Sequence, residues 1–91
     1  MHLDVVLPTY NRHELLRRAL RSLLEARIPE GLSVRVKVVD NNSPDATRDT
    51  VAEISEAFGG RLEYLLETAP GKSAALNAGI AGSRADLIGL I

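Results

Sequence analysis

The sequence predicts an α/β protein of three layers, in which a mainly parallel sheet lies between helices on both faces. Short apolar runs alternate with segments of helical periodicity, in the order β-α-β-α-β-α-β. The last run, ADLIGLI, is almost wholly apolar, which is typical of a central strand in a parallel sheet. Because a helix follows each of the first three strands, we expect right-handed crossovers between parallel neighbours.

Length and composition restrict the classes of function. The 91 residues allow one domain, 45% of them are hydrophobic and 25% are charged, and the net charge is −1. Aromatic residues make up only 3%, and basic residues do not cluster, so no nucleic-acid partner is expected. The absence of cysteine excludes disulfides and thiolate metal sites. No signal peptide is expected, and no apolar run approaches the roughly 18 residues that span a bilayer.

The first strand and helix occupy the first third of the chain. The strand, LDVVLP, ends at Pro8, and Asn11 is predicted to be the N-cap of the helix that follows. Glu14 stands where it would complete a capping box, and Pro29 and Gly31 end the helix. The apolar face of this helix is predicted to contain Leu15, Leu16, Ala19, Leu20, Leu23 and Leu24.

The second strand is predicted from Ser33 to Asp40, with three inward valines alternating with solvated Arg35 and Lys37. After the turn NNSP, a second helix is predicted to begin at Asp45 and to end at a glycine pair. Its inward residues are Val51, Ile54 and Phe58.

The remaining elements are a strand, RLEYLLE, a helix rich in alanine and glycine, GKSAALNAGIAGSR, and the strand ADLIGLI. The small side chains of the helix would let its backbone lie close to the sheet. The chain stops at Ile91 without a turn or cap. We therefore expect residues 1–91 to be one truncated domain, whose terminal strand offers an edge for self-association.

Two common phosphate-binding motifs are excluded because the glycines that they require are missing. Gly71, Lys72 and Ser73 match the end of a P-loop, but Leu66 stands where its first glycine belongs. A dinucleotide site would need a glycine-rich turn after the first strand, where the sequence reads PTYNR. His2 and His13 lack partners at metal-ligand spacing and are predicted to be surface residues.

Three motifs follow the ends of successive strands or open the third helix: VVLPTYNR, VKVVDNNSPDAT and GKSAALNAGI. Each is weak alone, but together and in this order the chain resembles the N-terminal, nucleotide-binding half of the family 2 glycosyltransferases. The resemblance covers essentially the whole chain and implies the Rossmann-like GT-A fold.

The resemblance implies which residues bind a nucleotide sugar. Asp40 would contact the base by accepting the imide N–H of uracil, and Lys72 would meet the diphosphate at the start of the third helix. Purely structural roles remain open: Asp40 as a turn residue, Tyr10 as a cover for the first helix, and Asn11 mainly as its cap. The predicted binding residues are Pro8, Thr9, Tyr10, Asn11, Asp40, Asn42 and Lys72.

The resemblance also implies the reaction of the complete protein. An inverting hexosyltransferase would transfer a sugar from a nucleotide sugar, expected to be a UDP-sugar, to the hydroxyl of a saccharide or lipid acceptor. The Mg or Mn ligands and the general base of such enzymes follow the fourth strand, so this chain alone has no catalytic residue and is expected to be inactive. Such an enzyme would fit cell-envelope polysaccharide synthesis, either in the cytoplasm or at the cytoplasmic face of the membrane. The alternative is a stand-alone Rossmann-like module that binds nucleotides or assembles without catalysis.

Overall fold

The structure, a computed structural model, describes residues 1–90 and confirms the predicted order of strands and helices. Ile91, the last residue of the predicted fourth strand, lies outside the described residues. Within residues 1–90, no helix is long and apolar enough to cross a membrane. The elements are β1 (His2–Thr9), α1 (His13–Glu25), β2 (Ser33–Asp40), α2 (Thr47–Ser55), a 3-10 turn (Glu56–Phe58), β3 (Leu62–Leu66), α3 (Lys72–Ile80) and β4 (Leu87–Leu90).

The four strands form one parallel sheet in the order β3-β2-β1-β4. Thr9 is paired with Asp40 and Asp40 with Leu66, so β1, β2 and β3 end at the same level. β4 is paired with β1 only as far as Val6. The end of β1 therefore has β2 on one side and, in the described part of the chain, no strand on the other.

Helices cover both faces of the sheet, as predicted. Alternation along β1 turns Val5 and Leu7 toward α1 and α2, and Val6 toward α3. The larger core lies on the first side and consists of Val5, Leu7, Leu16, Leu20, Val36, Val38, Val51, Ile54 and Phe58. The smaller core consists of Val6, Val39 and Ala75.

The small residues of α3 bring its backbone close to the sheet, as the sequence predicts. A Cβ atom on Gly79 would lie 2.3 Å from Cγ1 of Val6 and 3.0 Å from Cγ2 of Val39. Only glycine fits at this crossing without movement of the valines. The close packing sets the height of α3 above the ends of β1 and β2.

Lys37 was predicted to be solvated, and this prediction is wrong. Its side chain points to the α3 side of the sheet, where Nζ lies 3.6 Å from Oδ2 of the buried Asp4. Asp4 also accepts a hydrogen bond from Ser83 and lies 2.9 Å from Nε2 of His2, which is a surface residue as predicted, with 38% of its side chain exposed. Burial raises the pKa of Asp4, but the hydrogen bonds from Ser83 and His2 and the charge of Lys37 outweigh it and lower that pKa.

Apolar side chains are exposed at two places. In the sheet of residues 1–90, β4 lies at an edge and its leucines and Ile88 are exposed, so its central position in a longer protein stays a prediction. Leu15, predicted to face the core, is exposed beside the end of β1. Apolar periodicity shows which side chains share one face of a helix or strand. It does not show whether another element is present to cover that face.

Candidate functional site

A cavity of about 630 Å³ lies where β1 ends without a neighbour on its outer side. The end of β1, the start of α1, Asn41 and the start of α3 line this cavity. Ligand crevices of parallel α/β sheets lie beyond the carboxyl ends of the strands, as this one does. Of the predicted binding residues, Pro8, Thr9, Tyr10 and Lys72 line it, whereas Asn11, Asp40 and Asn42 do not.

The start of α3 gives the cavity an electropositive wall. Gly71 is the N-cap of this helix, and within residues 1–90 no side chain caps its first N–H groups. Lys72 follows directly, is exposed and lines the cavity, and the buried Ala75 lines it one turn later. A lysine and the N-terminus of a helix both carry positive charge, so this position favours the binding of an anion.

Asp40 lies on the other side of the sheet from Lys72. Its carboxylate is 3% exposed and accepts a hydrogen bond of 2.5 Å from the hydroxyl of Tyr64 and one of 2.8 Å from the backbone N–H of Ser43. Burial and the bond to Asp40 raise the pKa of Tyr64 to about 12. The carboxylate is buried and does not line the cavity, so the reading of a base by Asp40 stays a prediction.

Asn41, like Arg12, is a polar residue of the cavity that is missing from the predicted binding residues. Its Nδ2 donates to the carbonyl oxygens of Glu67 (2.8 Å) and Ala69 (2.7 Å), and its Oδ1 accepts the backbone N–H of Gly71 (3.0 Å). Its own N–H donates to the carbonyl of Thr9. The strand alternation of β2 could have found it, because the residue after Asp40 must point to the α3 side.

Asn11 is not the N-cap of α1, contrary to prediction. It adopts the left-handed region with φ of 52°, its N–H donates to Oγ of Ser43, and α1 begins only at His13 with Arg12 as the N-cap. Arg12 makes no side-chain cap bond. A capping box cannot form around a residue that stands one position too early, so the pairing of Asn11 with Glu14 is wrong as well.

The capping group of α1 comes from another loop. Oδ2 of Asp45 accepts the backbone N–H of His13 (3.2 Å) and lies 3.0 Å from its Nδ1. His13 lies at the surface, as predicted, with 34% of its side chain exposed, and it is bonded to Asp45 there. The same contact joins the β1–α1 loop, which carries Tyr10, to the β2–α2 loop.

Asp45 also caps α2, which begins at Thr47 and not at Asp45 as predicted. Its Oδ1 accepts both the backbone N–H and the hydroxyl of Thr47. Burial raises the pKa of Asp45, but the hydrogen bonds from Thr47 and His13 outweigh it and lower the pKa to about 2. One carboxylate thus fixes the starts of two helices beside the cavity.

The described residues contain no cluster of side chains that could serve as a metal site. Among the described residues, no group of three or more His, Asp or Glu side chains could hold a metal ion. No chemical step can therefore be assigned to a metal held by residues 1–90.

The sequence matches the family described as "Glycosyl transferase family 2" over residues 4–91. The chain belongs to this family. It is 33% identical over 89 residues to "Probable glycosyltransferase YdaM" of Bacillus subtilis (strain 168), with 93% of this chain and 21% of that protein covered. It is 32% identical over 89 residues to "Glycosyltransferase AglE" of Haloferax volcanii, with 97% of this chain and 29% of that protein covered.

Solved glycosyltransferase structures share the fold. The mannosyltransferase PcManGT from Pyrobaculum calidifontis, in complex with GDP-Man and Mn²⁺, is 30% identical with a TM-score of 0.83, over 94% of this chain and 25% of that one. TarS from S. aureus, in complex with UDP-GlcNAc, has a TM-score of 0.79 over 100% of this chain and 26% of that one. At 24% identity, the likeness to TarS shows the fold alone. The predicted GT-A type of α/β fold is confirmed.

This chain spans less than a third of the length of these two curated relatives, 21% and 29%. The match to the family model places the chain among the glycosyltransferases. Nucleotide sugars are the ligands named for two of the structural neighbours.

Proposed function

We propose that residues 1–91 form the nucleotide-sugar-binding part of an inverting glycosyltransferase, and that the donor is a UDP-sugar. The observation that carries the proposal is the cavity at the end of β1, which joins an exposed aromatic side chain to an electropositive helix start. Such a cavity suits a ligand with a flat, uncharged end and an anionic end. A nucleoside diphosphate has both.

Each end of the ligand has a place in this cavity. The diphosphate lies at the start of α3, against Lys72 and the free N–H groups of the first turn. The nucleoside lies against the end of β1, where Pro8 and Thr9 offer backbone groups and the 55% exposed ring of Tyr10 offers a stacking face. The choice of a nucleotide sugar as the ligand is supported by the GDP-Man and UDP-GlcNAc named for PcManGT and TarS.

In the complete enzyme, an acceptor hydroxyl attacks the anomeric carbon of the sugar and the nucleoside diphosphate leaves, in one displacement. We propose that a divalent metal assists there, as Mn²⁺ accompanies GDP-Man in PcManGT, and that its ligands lie outside residues 1–90. The general base lies outside this chain as well. The chain by itself is therefore proposed to bind the donor without transferring the sugar.

A titration of the ¹⁵N-labelled chain with UDP, followed residue by residue by NMR, tests the proposal. We expect UDP to shift the amides of Thr9, Tyr10 and Lys72, and uridine to shift only the first two. GDP in place of UDP tests the choice of base. A well-folded chain whose cavity amides respond to neither nucleotide would contradict the proposal.

A matched pair of variants tests the diphosphate end. Lys72→Gln removes the positive charge at the start of α3, and we expect UDP to bind about tenfold more weakly, because charge-assisted hydrogen bonds contribute roughly 1.5–3 kcal/mol. Arg18→Gln removes the same charge from an exposed position on α1 and should leave the affinity within about twofold. Equal losses in the two variants would show a general charge effect and no site.

A further inference from the structure

We propose that Asn41 is a positioning residue, which holds the start of α3 in place so that Lys72 can meet a diphosphate. The inference rests on the proposed function, since it concerns how the same cavity binds its anionic end. Asn41 is not assigned a contact with the sugar or with the reacting atoms. It acts through the loop between β3 and α3, residues 67–71.

Both the nitrogen and the oxygen of the Asn41 carboxamide form hydrogen bonds with this loop. Nδ2 donates to the carbonyls of Glu67 and Ala69 at 2.8 and 2.7 Å, and Oδ1 accepts the N–H of Gly71 at 3.0 Å. Two acceptors on one side and one donor on the other match a carboxamide and no other side chain of this length. An aspartate here would face two carbonyl oxygens without a proton to give them.

The loop has little else to hold it. Besides the bonds from Asn41, the backbone N–H of Glu67 donates to the carbonyl of Asp40, and the N–H of Ala69 donates to the side chain of Glu67 within the loop itself. These are the other hydrogen bonds that fix residues 67–71 ahead of α3 in the described structure. Residues 68–71 therefore depend on Asn41 for their attachment to the sheet.

The third bond of Asn41 acts directly on the helix start. Gly71, the N-cap, has φ of 111°, a conformation that favours glycine, and its carbonyl accepts the N–H of Ala75 to open α3. Because Asn41 holds the N–H of Gly71, it fixes the residue from which both the first turn and Lys72 project. The backbone of Asn41 is bonded in turn to Thr9, at the nucleoside end of the cavity. Asn41 thus sets the spacing between the two ends of the ligand.

The first test needs no ligand. In the free chain we expect slow hydrogen exchange at the Asn41 carboxamide and at the Gly71 amide, and we expect Asn41→Ala to speed exchange at Gly71 at least tenfold. Asn77→Ala is the matched control and should not speed exchange at Gly71, because Asn77 is exposed on α3 and makes no side-chain hydrogen bond within residues 1–90. Fast exchange at Gly71 in the wild-type chain would overturn the proposal.

The second test separates positioning from general support of the fold. We expect Asn41→Ala to weaken UDP binding about tenfold and uridine binding less than twofold, and to have little further effect on UDP binding in a Lys72→Gln background. Equal losses for UDP and uridine, or full additivity with Lys72→Gln, would overturn the inference alone. A wild-type chain that binds UDP no more tightly than uridine would instead overturn the proposed function, and the inference with it.

Discussion

Oδ2 of Asp45 lies 3.0 Å from Nδ1 of His13 and 3.2 Å from its backbone nitrogen, while Oδ1 of the same carboxylate caps α2 at Thr47. Two helices that pack on the same face of the sheet therefore begin at one acidic side chain, which is 14% exposed. The contact joins the two loops that border the candidate site. Its strength depends on the carboxylate being ionised.

Asp45 should make the folded state sensitive to acid. Its pKa is about 2 in the folded chain against 3.8 for a free aspartate, so its contribution is fully present above about pH 4 and is lost as the pH falls toward 2. The shift corresponds to about 2 kcal/mol of unfolding free energy. We expect Asp45→Asn to lower stability at pH 7 and to flatten its dependence on pH between 4 and 2, as measured by urea denaturation.

Asp49→Asn is the matched control for this acid effect. Asp49 is exposed in the first turn of α2, and the substitution removes the same charge from the same helix end. It should leave the slope between pH 4 and pH 2 almost unchanged, because a macrodipole contact at an exposed site contributes only a few tenths of a kcal/mol. A parallel loss of slope in both variants would assign the effect to the helix dipole and not to the two-helix cap.

Tyr64 should have the opposite dependence, at high pH. Its pKa is raised from 10.0 to about 12, so the neutral phenol favours the folded state, and this contribution is present below pH 10 and lost as the pH rises toward 12. Tyr64→Phe should remove that alkaline slope. At pH 7 it should cost about 1–3 kcal/mol, because Oδ2 of the buried Asp40 loses its donor. Urea denaturation at pH 7 and pH 11 measures both effects.

Tyr10→Phe serves as the control for Tyr64→Phe, since Tyr10 is exposed and its hydroxyl makes no hydrogen bond within residues 1–90. It should leave the stability at pH 7 within about 0.5 kcal/mol, as surface substitutions usually do. If the two variants are equally stable at pH 7, the bond between Tyr64 and Asp40 does not stabilise the chain.

The sequence was informative where a signal repeats along the chain. Periodicity located all four strands and all three helices, and the rule that crevices follow strand ends placed Thr9, Tyr10 and Lys72 beside one cavity. It failed where the partner is distant in the chain. Asn11 looked like a cap on local rules, but the cap is Asp45, 32 residues from His13.

The site was predicted less well than the fold for the same reason. Asp40 and Asn41 are adjacent in sequence, and only the face to which each points decides that Asn41 reaches the cavity. Successive residues of a strand point to opposite faces of the sheet. A sequence motif therefore locates the pair but does not show which of the two residues faces the cavity. The loop held by Asn41 is likewise invisible in sequence, because two of its partners are backbone carbonyls.

Gly79 should be the position on α3 least tolerant of a side chain. A Cβ there would lie 2.3 Å from Cγ1 of Val6, so Gly79→Ala must push α3 away from the sheet, and we expect a loss of about 1–3 kcal/mol despite the better helix propensity of alanine. Val6→Ala removes the clashing methyl group. The double variant should therefore be more stable than the sum of the two single losses implies, as urea denaturation can show. Simple additivity would mean that Gly79 does not pack against Val6.

Thr50 should be the opposite case, a buried residue whose replacement stabilises the fold. Its side chain is 1% exposed, and its Oγ1 has no hydrogen-bond partner among residues 1–90. Thr50→Val keeps the shape and removes the unpaired hydroxyl, so we expect a gain of about 1 kcal/mol in unfolding free energy at pH 7. Thr47→Val makes the same change on the same helix but breaks the bond to Asp45, and it should lose about 1–2 kcal/mol. Urea denaturation of the two variants side by side measures the difference, and a loss at both positions would mean that the Thr50 hydroxyl is hydrogen-bonded in solution.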